Sequence, residues 1–200
     1  MSTVTQFSSF IEHIKRHVEL TEEEVEKILI RSNPKIFLKG QYIGQEGEVA
    51  RTQTFIVEGC ARTFYLDNKG NEHIYAFGID DWWVGDINSF ITQSPAEFNV
   101  QCMDKTKAIQ INYENMESLY LEVPKMERYF RIIIGKAYAS MAKRIVRNHS
   151  LPAKERYLNF TNRYPKIVQR VPQYMIASYL GITKEFLSNI RKQIAEESKY

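Results

Sequence analysis

The stretch YLGITKEFLSNIRKQ, residues 179–193, contains the most specific pattern in this sequence of 200 residues. Pro172 suits the first turn of a preceding helix, where the N–H group that proline lacks has no helical partner. Gly181 permits the left-handed turn that ends such a helix, and Thr183 is a favourable N-cap for the next one. The sequence therefore predicts two short helices joined by a tight turn.

The two predicted helices have the spacing of a helix-turn-helix motif. Leu187 and Ile190 are expected to be buried between the helices, and Ala177 is small where they should cross. The opposite face of the second helix carries side chains that can contact base edges: Lys184, Glu185, Ser188, Asn189 and Lys192. Thr183, Arg191 and Lys192 are better placed for phosphates. A solvated helix face is the alternative explanation of this polar pattern.

Composition excludes several classes of protein. Hydrophobic residues make up 44% and charged residues 26% of the sequence, as in ordinary globular domains. The net charge of +3 indicates an anionic partner only weakly. Cys60 and Cys102 are far apart, so neither a disulfide framework nor a zinc or iron–sulfur site is expected. No signal peptide or membrane span is recognisable, and we expect a cytoplasmic protein.

Residues 35–112 have the texture of a β-domain, with short segments rich in β-branched and aromatic residues and interrupted by glycines. The clearest predicted strands are Gln53–Glu58, Cys60–Leu66, Glu72–Phe77 and Thr106–Asn112. Such strands favour an antiparallel β-roll or jelly roll. Helical patterns precede this region, so the fold class is predicted to be α+β, with N-terminal helices flanking the roll.

A long helix is predicted from Pro124 over about 25 residues, which is about 37 Å. Its apolar stripe favours packing against a second copy of itself, through Phe130, Ile134, Ala137, Tyr138, Met141 and Ile145. The alternative is a helix that packs wholly on its own roll. Three regions result: helices and roll (1–123), dimerisation helix (124–150) and helix-turn-helix (151–200).

The whole sequence resembles the Crp/Fnr family of bacterial transcription regulators, in particular short members from Bacteroidetes-type bacteria. The segments KGQYIGQEG, FIVEG, NKG and DDWWVGD resemble the turns of its cyclic-nucleotide-binding roll, and IASYLGITKEFLSNIRK resembles its DNA-reading element. The resemblance implies an effector-binding β-roll, a long dimerisation helix and a C-terminal helix-turn-helix. It also implies binding to double-stranded DNA with roughly two-fold symmetry, and RNA polymerase as a further partner.

The sequence departs from the family pattern in its candidate effector pocket, which comprises Trp83, Gly85, Asp86, Glu97 and Phe98. Family members that bind cyclic AMP have a glutamate after the glycine and an arginine about ten residues later. Here Asp86 follows Gly85, the segment QSPAEFNVQ contains no arginine, and Glu97 near that place repels an anion. Cyclic AMP is therefore not expected as effector; the effector stays unknown, and no cofactor is predicted.

Two alternatives to an effector-binding roll are also compatible with the sequence. The roll is either empty and constitutively active, or filled by aromatic side chains, for which the candidates are Phe77, Trp82, Trp83, Phe90 and Phe98.

Three further departures concern other parts of the family pattern. No cysteines cluster near the N-terminus, as they do in oxygen-sensing members, so no iron–sulfur cluster is expected. The β-hairpin wing that follows the recognition helix in typical members is expected to be missing or vestigial. Lys184 and Asn189 stand where arginines are common, so the preferred DNA sequence is expected to differ from the best-known operator.

No catalytic motif stands out, and His13 and His17 alone make a poor metal site. We therefore expect a homodimeric, sequence-specific DNA-binding transcription regulator that is not an enzyme and holds no metal. The alternative is a ligand-sensing or protein-interaction module whose DNA binding has decayed. Salt dependence distinguishes the two, because neutralised DNA phosphates release counterions.

Overall fold

The computed structural model describes residues 3–197, with side chains described from residue 7 onward. The elements run in the order α1 (Thr3–Lys15), α2 (Glu22–Ile30), β1 (Asn33–Phe37), β2 (Tyr42–Gly44), β3 (Thr52–Glu58), β4 (Cys60–Leu66), β5 (Glu72–Ile79), β6 (Trp82–Val84), α3 (Ile87–Thr92), β7 (Asn99–Cys102), β8 (Thr106–Asn112), α4 (Tyr113–Glu122), α5 (Pro124–Ser150), α6 (Ala153–Arg163), α7 (Pro165–Arg170), α8 (Gln173–Leu180) and α9 (Lys184–Glu197). Helices and antiparallel strands together confirm the α+β class.

The strands form two four-stranded sheets, in the orders β1-β8-β3-β6 and β2-β7-β4-β5. Every pairing within them is antiparallel. The turn between β4 and β5 is closed by the Asp67 carboxylate, which accepts hydrogen bonds from the backbone N–H groups of Lys69 and Asn71, each at 2.9 Å. This is the β-roll that the alternation of strands and glycine turns predicts.

The N-terminal helices pack against the roll and the start of α5. Thr21 caps α2, since its hydroxyl accepts from the Glu24 N–H at 3.2 Å while the Glu24 carboxylate accepts from the Thr21 N–H at 2.7 Å. Glu24 also accepts from Lys125 at 2.8 Å. A capping box and an ion pair thus connect α2 to α5.

The first core lies between α1, α4, the sheet containing β3 and the first turns of α5. Phe10, Phe55, Ile109 and Tyr129 are fully buried in it. Phe130 belongs to the same core, with 6% of its surface exposed and its ring centroid 4.8 Å from that of Trp83. The prediction of Phe130 as a dimer contact is therefore wrong, because its own chain already covers it.

The second core joins the C-terminal helices to the outer face of β4 and β5. Phe77 and Ile79 from the roll are buried with Phe160, Met175 and Leu180 from the helices. The hydroxyl of Ser178 on α8 accepts a hydrogen bond from the Ile74 N–H of β5 at 2.9 Å. The helix-turn-helix is therefore docked on the sensor-like roll.

The segment NRYPKIVQRVP, residues 162–172, contains the short helix α7. Pro165 lies in its first turn, and Ile167 is buried against the second core. Arg170 at its end donates to the Gly59 carbonyl at 2.7 Å and to the Asp80 carboxylate at 3.0 Å. Tertiary packing and these bonds stabilise a helix too short for periodicity to reveal.

We predict that stability rises with pH between about pH 4 and 6.5 because of His13. Burial, the largest cause, lowers the pKa of His13 to about 4, while the imidazole hydrogen-bonds the Tyr129 hydroxyl at 2.8 Å. The unfolded chain binds the proton more tightly, so protonation below pH 6.5 favours unfolding. The charged or titratable groups around the ring are Asp81, His17, Arg16 and Lys136.

Urea unfolding of the native protein and of His13→Asn at pH 4.5 and pH 7 tests this prediction. The native protein should lose about 1–3 kcal/mol more than the variant on acidification. The exposed His149→Asn should behave like the native protein. An equal pH dependence in the native protein and His13→Asn would contradict the prediction.

Candidate DNA-binding face and effector pocket

The turn between α8 and α9 has the left-handed backbone geometry that favours glycine. Gly181 ends α8 in the left-handed conformation with φ of +67°. Its N–H donates to the Ser178 carbonyl and the Ile182 N–H donates to the Ala177 carbonyl, each at 3.0 Å. The Thr183 hydroxyl then accepts from the Phe186 N–H at 3.1 Å, so it caps α9 at its start.

Apolar contacts on the inner side of α9 set the orientation of this helix relative to α8. Leu187 and Ile190 are buried in the second core together with Ala177 and Ile176 of α8. Ile194 packs against the same core from the next turn. Since these apolar contacts hold one side, the opposite side of α9 faces solvent in a fixed orientation.

The seven side chains predicted to contact DNA are all exposed: Thr183, Lys184, Glu185, Ser188, Asn189, Arg191 and Lys192. Within residues 3–197, the charged members of this set have no ion-pair partner within 4.0 Å. Their hydrogen-bonding groups are therefore available to a ligand. In this arrangement one exposed helix face carries both charged and neutral hydrogen-bonding side chains.

Sequence reasoning missed Phe186, which lies on the first turn of α9 with 50% of its surface exposed. An apolar side chain on a groove-facing helix can contact the thymine methyl group. The signal was present: Phe186 stands where a capping box would have Glu or Gln, so the position is not used for capping.

The β-roll contains a cavity of about 330 Å³ on the side of β2 and α3. Gly85, Asp86 and Phe98 of the predicted pocket line it, whereas Trp83 and Glu97 do not. Its remaining lining comes chiefly from the segment before β3, which holds Gln45, Glu48 and Arg51. The predicted glycine turn therefore borders a cavity, but only part of the predicted pocket surrounds it.

The Asp86 carboxylate accepts hydrogen bonds from backbone N–H groups of the loop that follows it. The side chain is buried, and its oxygens accept from the Ser89 N–H at 3.0 Å and the Glu97 N–H at 2.9 Å. It thereby caps α3 and closes the loop that returns to β7. The carboxylate therefore has a structural role in this loop.

Trp83 is a core residue, not a pocket residue. Its indole N–H donates to the Tyr129 hydroxyl at 2.7 Å, and its ring packs against Phe10, Phe55 and Phe130. The strand β6 turns it inward toward α5, away from the cavity. Glu97 is exposed at the loop, so only its backbone takes part in the closure.

The aromatic side chains proposed to fill the roll lie elsewhere, except for Phe98. Phe77 and Trp82 belong to the second core, and Trp83 and Phe90 to the first. Phe98 lines the cavity and stacks on Tyr75 at a centroid distance of 4.5 Å. The cavity therefore stays open, and filling by these aromatic residues is ruled out.

The charges around the cavity do not suit a phosphate. Glu48 and Asp86 contribute two carboxylates, and Arg51 is the cation among the lining residues. Ala96, ten residues after Asp86, is buried, and the neighbouring Glu97 is exposed. Arg51 was not predicted as a pocket residue, because it lies far from Gly85 in the sequence, one residue before β3.

The outer half of α5 carries an exposed apolar stripe. Ile134, Tyr138 and Ile145 are 43%, 68% and 51% exposed, and Ala137 is exposed beside them. Met141 instead approaches the roll, since its sulfur accepts from the Tyr75 hydroxyl at 3.1 Å. Val146, 64% exposed, extends the stripe and was not predicted. The alternative of a helix packed wholly on its own roll is thus wrong for this half.

Two other expectations concern metals and membranes. In the part of the chain that the structure describes, no group of three or more His, Cys, Asp or Glu side chains is arranged to hold a metal ion. The His17 ring bonds the His13 carbonyl at 3.1 Å instead. Across the same residues, the helices are too short or too polar to cross a bilayer.

Comparison with known proteins gives one match to a domain family and two matches to curated relatives. Residues 34–122 match the family described as the cyclic nucleotide-binding domain. The chain is 21% identical over 179 residues to the transcriptional activator protein Anr of Pseudomonas protegens, covering 84% of this chain and 72% of the relative. It is 23% identical over 181 residues to the fumarate and nitrate reduction regulatory protein of Vibrio cholerae, covering 84% and 70%.

Among solved structures, FixK2 from Bradyrhizobium japonicum has the same fold. It superposes with a TM-score of 0.74 at 16% identity, covering 84% of this chain and 86% of that one. FixK2 shows a shared fold, the domain match covers residues 34–122, and the chain as a whole is similar to regulators of the Crp/Fnr type. By their names, the two curated relatives are a transcriptional activator and a regulatory protein.

We predict that cyclic AMP does not bind the cavity in the usual manner. Calorimetric titration should give no saturation below about 1 mM, because the lining offers two carboxylates against a single cation, Arg51. Saturable binding at micromolar concentration would contradict this prediction. If Arg51→Gln then weakened that binding, Arg51 would be the phosphate donor.

Proposed function

We propose that the chain is a homodimeric, sequence-specific regulator that reads a roughly two-fold DNA site with α9. The observation that carries this proposal is the exposed face of α9, whose charged side chains are unpaired within the described residues and whose orientation is set by the Gly181 turn. The proposed division of the chain is roll (1–123), dimerisation helix (124–150) and DNA-binding region (151–200).

Charge distribution supports DNA as the partner. Residues 124–200 contain 16 basic and 5 acidic residues, a net charge of +11, whereas residues 1–123 contain 11 basic and 19 acidic residues, a net charge of −8. The modest charge of the whole chain hides this separation. A strongly basic C-terminal region is the electrostatic pattern of a nucleic-acid-binding surface.

The residues of α9 divide into two roles. Lys184, Glu185 and Asn189 are proposed to contact base edges, as donor, acceptor and bidentate partner respectively. Thr183, Arg191 and Lys192 are proposed to contact phosphates and set the register. Ser188, between these groups, can serve either purpose.

Dimerisation is proposed to occur through the exposed stripe of α5. Two copies of this helix related by a two-fold axis would bury Ile134, Ala137, Tyr138 and Ile145 against their equivalents. The two α9 helices would then face successive major grooves about one helical turn apart. Binding in the roll, or repacking along α5, would change their separation by population shift.

The remaining partners follow from this role. The effector is unidentified, and the cavity does not favour cyclic AMP. RNA polymerase is a proposed partner at the promoter, and the cytoplasm is the proposed location.

The DNA-reading prediction is tested on fragments selected from genomic DNA by the native protein. Lys184→Ala/Asn189→Ala should lose about 1–3 kcal/mol of discrimination for each lost base contact between the best fragment and a scrambled one. Its residual binding should stay salt-sensitive, because phosphate contacts remain. Fluorescence anisotropy across a salt series measures both quantities.

The matched control is Asn68→Ala/Lys69→Ala, which removes the same two side-chain types from the exposed turn between β4 and β5. It should bind like the native protein. If no fragment is enriched, or if both double variants discriminate equally well, α9 is not the reader. A ligand-sensing or protein-interaction role without DNA reading would then replace this proposal.

We further predict that Ile134→Glu/Tyr138→Glu produces a monomer. Burying unpaired carboxylates in a helix–helix interface should weaken self-association by about 100-fold or more. Sedimentation velocity across a concentration series measures the change. Leu121→Glu, at an 84% exposed position on α4, is the control and should stay dimeric. A native protein that sediments as a monomer would refute dimerisation.

A further inference from the structure

A second, smaller cavity of about 50 Å³ lies where α5, α6 and α8 meet. Four arginines line it: Arg144 and Arg147 from α5, and Arg156 and Arg163 from α6. The rest of the lining consists of neutral side chains and contains no carboxylate. The cavity is separate from the one in the β-roll and lies away from the exposed face of α9.

Two of the arginines are fixed by backbone carbonyls of neighbouring elements. Arg144 donates to the Tyr75 carbonyl of β5 at 2.5 Å, and its guanidinium lies 4.8 Å from the ring centroid of Tyr179 on α8. Arg156 donates to the Leu180 carbonyl at 2.7 Å, directly before the Gly181 turn. These two side chains therefore connect the roll, the long helix and the DNA-reading helices.

The other two arginines are held less firmly. The Arg163 guanidinium lies 5.3 Å from the ring centroid of Tyr164 and 3.5 Å from the Ser140 hydroxyl. Arg147 lies on the same face of α5, three residues after Arg144. Within residues 3–197, neither has a carboxylate within 4.0 Å, so their charges are not neutralised by the described residues.

A buried donor in this cavity lacks an acceptor. The Nε atom of Arg156 is shielded from solvent and has no hydrogen-bond partner among the described residues. A buried donor without an acceptor is unfavourable, and four neighbouring guanidiniums repel one another. A multiply charged anion with several oxygen acceptors would relieve both conditions.

The chemistry of the lining selects the class of anion. Guanidinium groups bind phosphate oxygens in a bidentate, charge-assisted manner. The volume suits a phosphate group and not a whole nucleotide, and the exposed Asn148 and Asn159 at its border lead to solvent. The remainder of a larger ligand would therefore lie outside the cavity.

We propose that this arginine cavity binds a phosphate group of a small molecule, which would make it a regulatory site distinct from the β-roll cavity. Its occupant would contact the two side chains that connect α8 to β5 and α5. Binding there would change how firmly the helix-turn-helix is docked on the roll. This inference does not depend on sequence reading by α9.

The experiment measures binding of inorganic pyrophosphate to the full-length protein by calorimetry at fixed ionic strength. Arg147→Gln and Arg163→Gln, made singly, should each weaken binding about tenfold or more. Among the described contacts, neither of these two side chains donates to a backbone carbonyl, so their replacement should leave the packing of the helices intact. Arg128→Gln, an exposed arginine on the far side of α5, is the matched control and should bind as the native protein does.

Each result decides for or against the proposal. Absence of saturable pyrophosphate binding, or equal weakening by Arg128→Gln, overturns it. A second arm measures binding of a scrambled DNA duplex by the same variants without pyrophosphate. If they weaken DNA binding and leave pyrophosphate binding unchanged, the phosphate is that of DNA and the small-molecule site is rejected. Thermal unfolding of each variant verifies that it is folded.

Discussion

The packing of α1, β6 and α5 depends on two hydrogen bonds of the buried Tyr129 hydroxyl. This hydroxyl accepts a hydrogen bond from the Trp83 indole at 2.7 Å and pairs with the His13 imidazole at 2.8 Å. These contacts join α1, β6 and α5 at one point inside an aromatic core. Because α5 is rigid and long, fixing its first turns also determines where its outer half and the helices after it lie.

Local signals in the sequence were enough to locate much of the fold. The strands Cys60–Leu66 and Thr106–Asn112 and the start of α5 at Pro124 coincide with the structure. The Gly181 turn and the Thr183 cap were also predictable, since both rest on backbone requirements within a few residues. Such features need no knowledge of distant parts of the chain.

Contacts between residues that are distant in the sequence could not be predicted. Helical periodicity shows that Phe130 and Ile134 share a face of α5, but not that the roll covers one and leaves the other exposed. Likewise the position of Asp86 after a glycine indicated a pocket, while the bond that its carboxylate accepts from the Glu97 N–H depends on a loop that returns to it. The cluster of arginines between α5 and α6 was invisible for the same reason.

The completeness of the core around Tyr129 bears on the order of assembly. Because α5 buries its first turns against its own roll, each protomer has a finished hydrophobic core before it meets a second one. In the proposed dimer, association through the outer half of α5 would then be a bimolecular step between folded partners, with a rate that depends on protein concentration. The amount of protein made by the cell would thereby set the fraction of the regulator able to present two reading helices.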